Sequence, residues 1–263
     1  MGKSFSEKGY IIVRSAISQK LVKKIQKEIF NVLKIRKKKN NEKYTSFCRM
    51  VKNLRVKEYN FTKPLFEVLH YKGLLEKMFL EKKFYNVVSN LLGKDLAFCT
   101  DPGITLNLPD KADPKKNYLF KEWHQEIWSG ASPSTIQIWT PLIHKNSKNG
   151  QMELIEDSHK WGHIPHRNRK VISLPKDYKI ENLNVNIGDL VMFTGTTVHR
   201  TEPCTFPRLG LGIIVKNFKY KDYSFSQNLN WKIFSLSELS KLQKYLGNHY
   251  LSPYRLVNID HKF

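Results

Sequence analysis

The segment Trp123-His124-Gln125-Glu126-Ile127-Trp128 sets an imidazole and a carboxylate two residues apart. Both groups ligate metals. On an extended strand residues i and i+2 point to the same side, so His124 and Glu126 can reach one ion without a special backbone. Two imidazoles and one carboxylate on one face of an octahedron, with the opposite positions open, is the arrangement of non-heme iron(II) oxygenases. The second imidazole must come from a distant segment. His199, in GDLVMFTGTTVHRTEPC, follows a strand-like run, and Gly195 with the Thr196-Thr197 pair lets the chain turn before it. His-x-Glu alone is a weak pattern, and the plain alternative for both histidines is a hydrogen-bonded side chain at a strand end. His159 and His163 stand four apart, but Gly162 and the loop character of EDSHKWGHIPH argue against a helical metal pair. His159 reads as a supporting or structural residue, and His163 and His166 as substrate-side groups.

The elements that would position these residues follow from periodicity. GYIIVRSAI (Gly9 to Ile17) has the β-branched enrichment of a short strand. Ser18 can cap the helix after it, in which Leu21, Ile25, Ile29 and Leu33 recur every four residues as one buried stripe. Residues 63–93 read as two or three helices, with Phe84, Val87, Val88 and Leu91 on one face and Gly93 as the stop. From about residue 95 the period shortens. ITLNLP, STIQIWTPL, QMELIE, GDLVMF and RLGLGIIVKNF are short apolar runs between Pro, Gly, Asn and Asp, the pattern of a β-sandwich or barrel. Near the end Ser235 and Glu238 stand in capping-box register, with Leu239, Leu242 and Leu246 as an apolar stripe and Gly247 as the stop. Neither repeats nor a long linker divide the chain, so one domain over 1–263 is expected. It comprises a mainly helical flank (1–94), a β core (95–220), and a C-terminal helix and tail (221–263).

The net charge of +22 invites a polyanion reading. Only 9 of the 45 basic residues are arginine, which disfavours nucleic acid, since bidentate phosphate and base recognition uses the guanidinium. Residues 1–100 hold 23 basic against 8 acidic residues, so the charge concentrates away from the motifs. The run KIRKKKNNEK reads as a solvated connection after a helix. No apolar run reaches the roughly 18 residues of a membrane helix, and the first residues lack a secretory pattern, so a cytoplasmic protein is expected. Cys48, Cys99 and Cys204 are odd in number and far apart, and read as reduced core residues.

The blocks GYIIVRSAIS, WHQE, NGQMELIEDSHKWG, GDLVMFTGTTVHR and RLGLGIIV occur in the order and approximate spacing of the phytanoyl-CoA dioxygenase family, which the chain resembles from Gly9 to about Phe218. The resemblance implies a double-stranded β-helix, a cupin-like jelly roll, with N-terminal flanking helices. It implies iron(II), 2-oxoglutarate and O2 as cofactor and cosubstrates. His124, Glu126 and His199 would be the metal ligands and catalytic centre, and Arg208 would hold the far carboxylate of 2-oxoglutarate, assisted by Thr201. Asn107 and Trp139 are carried over to the same pocket. The family usually has aspartate where this chain has Glu126, so the carboxylate's reach is changed. Arg200 and Arg167 compete with Arg208, but Arg200 follows a ligand directly and by alternation points away from the metal.

The reading is an Fe(II)/2-oxoglutarate-dependent dioxygenase that hydroxylates a small polar or anionic metabolite. Trp128, Lys115 and Lys116 are the substrate-side candidates, the lysines on a 110–122 loop that could act as a lid. Two alternatives stand beside it. One is an oxygenase acting on a polymer. The other is a non-catalytic jelly-roll binding protein whose metal site Glu126 has impaired.

Overall fold

The computed structural model describes residues 2–37, 65, 67–100, 103–107, 122–129, 132–144, 148, 150–168, 170–220 and 231–246. Lys115, Lys116, Cys48 and Gly247 lie outside the described residues. The helices are α1 (Gly2–Lys8), α2 (Gln19–Lys37), α3 (Leu74–Phe79), α4 (Lys82–Leu92) and α5 (Glu238–Leu246). The strands are β1 (Tyr10–Val13), β2 (Leu96–Cys99), β3 (Ile104–Asn107), β4 (Ile136–Ile143), β5 (Met152–Ile155), β6 (His166–Arg167), β7 (Lys170–Val171), β8 (Ile180–Leu183), β9 (Leu190–Thr194), β10 (His199–Thr201), β11 (Arg208–Asn217) and β12 (Trp231–Ser235).

Period-two alternation builds two layers from the strands. The larger sheet runs β1-β9-β4-β11-β2-β12, with β3 also paired to β11, and the smaller runs β10-β5-β8; every pairing is antiparallel. One face of the larger sheet presents Ile138, Leu190, Met192, Leu209, Leu211, Ile213 and Val215 to the helices, where Ile25, Ile29, Met78, Phe79 and Phe84 complete the main core. The intervening residues Trp139, Val191 and Phe193 turn the other way and meet Met152 and Leu154 of the smaller sheet. This is the jelly-roll sandwich, and the space between its two sheets is where β10 and β11 aim His199 and Arg208.

The helical layer forms as its periodicity requires. Ser18 accepts a hydrogen bond at Oγ from Leu21 N (3.4 Å) and starts α2, whose Leu21, Ile25 and Ile29 are buried; the Leu33 side chain lies outside the described residues. Phe84, Val87 and Val88 bury one face of α4, and Gly93, at φ 81°, ends it with its N–H on Ser89 O.

The C-terminal expectation is corrected. Ser235 is the last residue of β12 and is paired with Leu96, so it cannot also open a helix. Ser237 caps α5 instead, accepting from Ser240 N at 3.2 Å, while Asp95 accepts both Ser237 N and Ser237 Oγ at 2.8 Å. Leu239 and Leu242 are exposed, and Ser240 is the buried residue of that turn. The flanks also carry strands: β1 and β12 join the larger sheet at its two ends. None of the described helices is long and apolar enough to cross a membrane.

Candidate metal centre

His124 and His199 face each other across a one-residue antiparallel bridge, each N–H donating to the other's carbonyl at 3.0 Å. Their rings are 4.2 Å apart. The chain then leaves the extended path: Glu126 begins a 3-10 turn (Glu126–Ser129), fixed by Ile127 N donating to Gly195 O at 3.0 Å. The strand geometry expected for His-x-Glu therefore holds at His124 and ends before Glu126, and the turn brings the longer glutamate side chain back to the imidazoles. Glu126 Oε1 stands 3.6 Å from His124 Nε2 and 3.4 Å from His199 Nε2.

Both imidazoles are held in one orientation. His124 Nδ1 donates to Glu122 O at 2.8 Å and His199 Nδ1 to Thr197 O at 3.0 Å. A carbonyl only accepts, so each Nδ1 carries a proton and each Nε2 is the nitrogen turned toward Glu126. The three ligand atoms lie within 4.8 Å of one another. Metal–ligand bonds of about 2.1 Å at right angles put donor atoms roughly 3 Å apart, so this set needs only a slight contraction to close on an ion. Desolvation raises the Glu126 carboxyl's pKa, but hydrogen bonds from His124 and His199 outweigh it and hold the group well below the usual carboxylate range. Burial, with the neighbouring His124, pushes His199 down. An anionic carboxylate between two imidazoles becomes the donor set a divalent cation takes once both Nε2 atoms are free of protons.

Gln125, between two of these residues, was given no role by the sequence. It is only 2% exposed. Its Nε2 donates to Gly162 O (2.7 Å) and Thr196 O (2.6 Å), and its Oε1 accepts from Ile164 N (3.0 Å). One side chain thus ties the His124–Glu126 segment to the 162–164 loop and to the turn before His199.

Deeper between the sheets, Arg208 is 4% exposed and forms no ion pair among the described residues. Its guanidinium lies 4.6 Å from the Trp139 ring centre, and Nη1 donates to Gly150 O. Burial pulls its pKa down to about 10 against the opposing pull of Cys204 and Glu202. Asn107 is its cross-strand partner, with Nδ2 donating to Glu202 O at 3.2 Å. Thr201, two residues past His199 on β10, is buried as well. Arg200 pairs outward with Glu153, Nε to Oε2 2.6 Å, and lies 4.4 Å from the Trp123 ring centre, as alternation requires. Arg167 is exposed on β6.

The remaining candidates are placed as follows. Trp128 packs into a third apolar cluster around Ile155, Val171 and Val198, and its ring stacks on that of exposed His166 at 4.1 Å. His163 stacks on His166 at 5.7 Å. His159 Nε2 donates to Ser6 O at 2.9 Å, a structural tie to the N-terminal helix.

A family model for phytanoyl-CoA dioxygenases matches residues 5–208. The chain belongs to the phytanoyl-CoA dioxygenase family. With that membership go the jelly roll and the class of chemistry: the protein is an Fe(II)- and 2-oxoglutarate-dependent oxygenase. Among solved structures, the apo form of the non-heme monooxygenase ThoJ is similar, with TM-score 0.61 and 13% identity over 90% of this chain and 84% of that one. The epimerase SnoN, solved with Fe3+, alpha ketoglutarate and nogalamycin RO, is similar with TM-score 0.52 and 13% identity over 82% of each chain. At these identities the likeness is one of fold. A search of curated proteins gives no match. The phytanoyl-CoA dioxygenase resemblance read from WHQE and VHR is thereby borne out at the level of family, fold and cofactor.

Proposed function

We propose that His124, Glu126 and His199 hold the iron(II), that Arg208 with Trp139, Asn107 and Thr201 holds 2-oxoglutarate, and that the enzyme hydroxylates a small polar or anionic metabolite in the cytoplasm. The observation that supports this most directly is the convergence of two Nε2 atoms on one Glu126 oxygen, with both Nδ1 atoms committed to backbone carbonyls. When bound, iron and 2-oxoglutarate would supply the oxidising chemistry together with O2, one oxygen atom entering the succinate formed as the keto acid loses CO2 and the other hydroxylating the substrate.

The chain's own part is to bind, orient and exclude water. Glu122 O and Thr197 O fix the imidazole tautomers, which sets the direction of both lone pairs. A dicarboxylate placed against Arg208 offers the anion that this buried cation otherwise lacks among the described residues, and a guanidinium can donate two parallel hydrogen bonds to it. Trp139 under the guanidinium restricts the ligand to the open side. Phe193, packed 4.6 Å from the His199 ring, together with Leu154 and Met152, keeps the space between the sheets apolar, so that charge–charge contacts inside it are strengthened.

The test is an anaerobic titration of the protein with iron(II) and 2-oxoglutarate, following the weak visible band of the chelated keto acid. The band should appear in wild type, be lost in Glu126→Ala, and require far more 2-oxoglutarate in Arg208→Ala. Wild type that forms no band and has no affinity for iron would sink the proposal.

A further inference from the structure

Strand β4 carries a glutamine where its neighbours are Ile136 and Ile138. Those two isoleucines belong to the helix-side core, whereas Gln137 shares the opposite face with Trp139, two residues on. Gln137 is therefore directed between the sheets, and it is 5% exposed. Its cross-strand partner is Phe193, the residue packed on the His199 ring. A Cβ built on Gly195 would lie 4.0 Å from Gln137 Nε2 and 3.7 Å from Ile127 N, so the amide stands against the turn that carries Glu126. Gln137 Nε2 is buried and has no hydrogen-bond partner among the described residues.

A buried carboxamide nitrogen with two N–H donors and no acceptor is unfavourable in a ligand-free protein, and such groups persist where a ligand supplies the acceptor. Arg208 is aligned with Trp139 at the other end of the same face, so the keto acid's far carboxylate has its own cation there. We propose that Gln137 is a specificity-determining residue: its amide donates to an acceptor oxygen of the substrate beside the metal centre. The substrate class this selects bears a carbonyl, carboxylate or phosphoryl oxygen close to the carbon that is oxidised. The inference rests on the proposed function for the placing of iron and 2-oxoglutarate, and it adds the group that reads the substrate.

The experiment has two arms, each run on wild type and Gln137→Leu, with Gln137→Met as a second variant of similar volume. In the first, thermal unfolding of the ligand-free protein is followed. Replacing a donor that has no acceptor by an apolar group should raise Tm by roughly 2–4 °C, whereas a structural amide would make the variants less stable. In the second, the proteins are loaded with Ni(II) and 2-oxoglutarate, and binding of acetate, acetamide and inorganic phosphate is measured. At least one probe should bind wild type saturably and lose about tenfold in Gln137→Leu, while 2-oxoglutarate affinity and the iron–keto acid band stay as in wild type.

A fall in Tm, a tenfold loss of 2-oxoglutarate affinity, no saturable probe binding to loaded wild type, or probe binding indifferent to the change each overturns the inference. The two proposals fail separately. A wild-type protein without the keto acid band loses the metal assignment, whereas a normal band with a silent Gln137→Leu loses only this one.

Discussion

Removing the Gln125 side chain tests how the segments that carry His124, Glu126 and His199 are held together. Gln125→Ala deletes three hydrogen bonds, to Gly162 O, to Thr196 O and from Ile164 N, at a residue that is almost wholly buried. At a net value of about 1 kcal/mol each, the loss is about 3 kcal/mol. For a chain of this size each kcal/mol moves Tm by roughly 2–4 °C, so a fall of about 6–12 °C is expected. Gln125→Glu is the informative companion. It keeps an acceptor for Ile164 N but sets an oxygen against the carbonyls of Gly162 and Thr196, so it should be no more stable than the alanine variant. Because the anchored segments carry His124, Glu126 and His199, metal affinity should fall with stability. The assay is thermal or urea unfolding of the metal-free protein, paired with an iron(II) or Ni(II) titration. An alanine variant within about 1 kcal/mol of wild type, with unchanged metal affinity, would refute the reasoning.

Three further outcomes are expected. Gly150→Ala, at φ +66° and with a new Cβ 2.9 Å from Asn107 Nδ2 and Cys204 Cβ, should displace the carbonyl that holds Arg208. It should weaken 2-oxoglutarate binding about tenfold while leaving pyruvate, which has no far carboxylate, unaffected. Gly210→Ala would drive a Cβ to 2.6 Å from Trp139 Nε1 and tilt the ring beneath Arg208, again raising the 2-oxoglutarate requirement in the titration without loss of iron. Asp189 gives a pH prediction. Burial raises its carboxyl, but the N–H of Ser15, the Arg14 guanidinium and the N–H of Asn186 outweigh this and hold its pKa below the ordinary 3.8. A depressed folded pKa means the contribution is complete above about pH 4 and lost as pH falls through the lower folded value. Asp189→Asn should therefore be less stable at pH 7, and its stability should fall less steeply below pH 4, in urea unfolding across that range.

The strands were legible from local spacing, and the candidate ligand residues from the family resemblance, since His-x-Glu alone is a weak pattern. His124, Glu126 and His199 sit in blocks whose order is recognisable, and alternation alone assigns Arg200 to the outer face. What sequence could not show depends on pairings across the sheets. That Glu126 begins a turn follows from Ile127 N reaching Gly195 O, a contact 68 positions apart in the chain. Gln125 and Gln137 take their significance only from partners on other segments. The one available signal was a glutamine inside the apolar run IQIWTPL, on the Trp139 side of the alternation. The stripe Leu239, Leu242 and Leu246 had helical period, and α5 is a helix, but period does not say whether anything covers the stripe. Ser235 was lost to competition, because pairing with β2 claimed its backbone before capping could.

The pairing of β1 with β9 has a consequence for how the protein is made. Tyr10 meets Phe193, and Ile17 N reaches Gly188 O, so the first strand finds its partner only after about 180 further residues have been synthesised. At roughly 5–20 residues per second, the first strand is exposed for some 10–40 s on the ribosome. Throughout that interval Tyr10 and the β-branched Ile11, Ile12 and Val13 form an apolar edge available to any neighbouring chain. Strand β11 then closes β2, β3 and β4 late in synthesis, and Arg208 arrives with it. The long sequence separations predict slow folding, and recovery of active enzyme should depend on slow expression at low temperature more than on the stability of the finished fold.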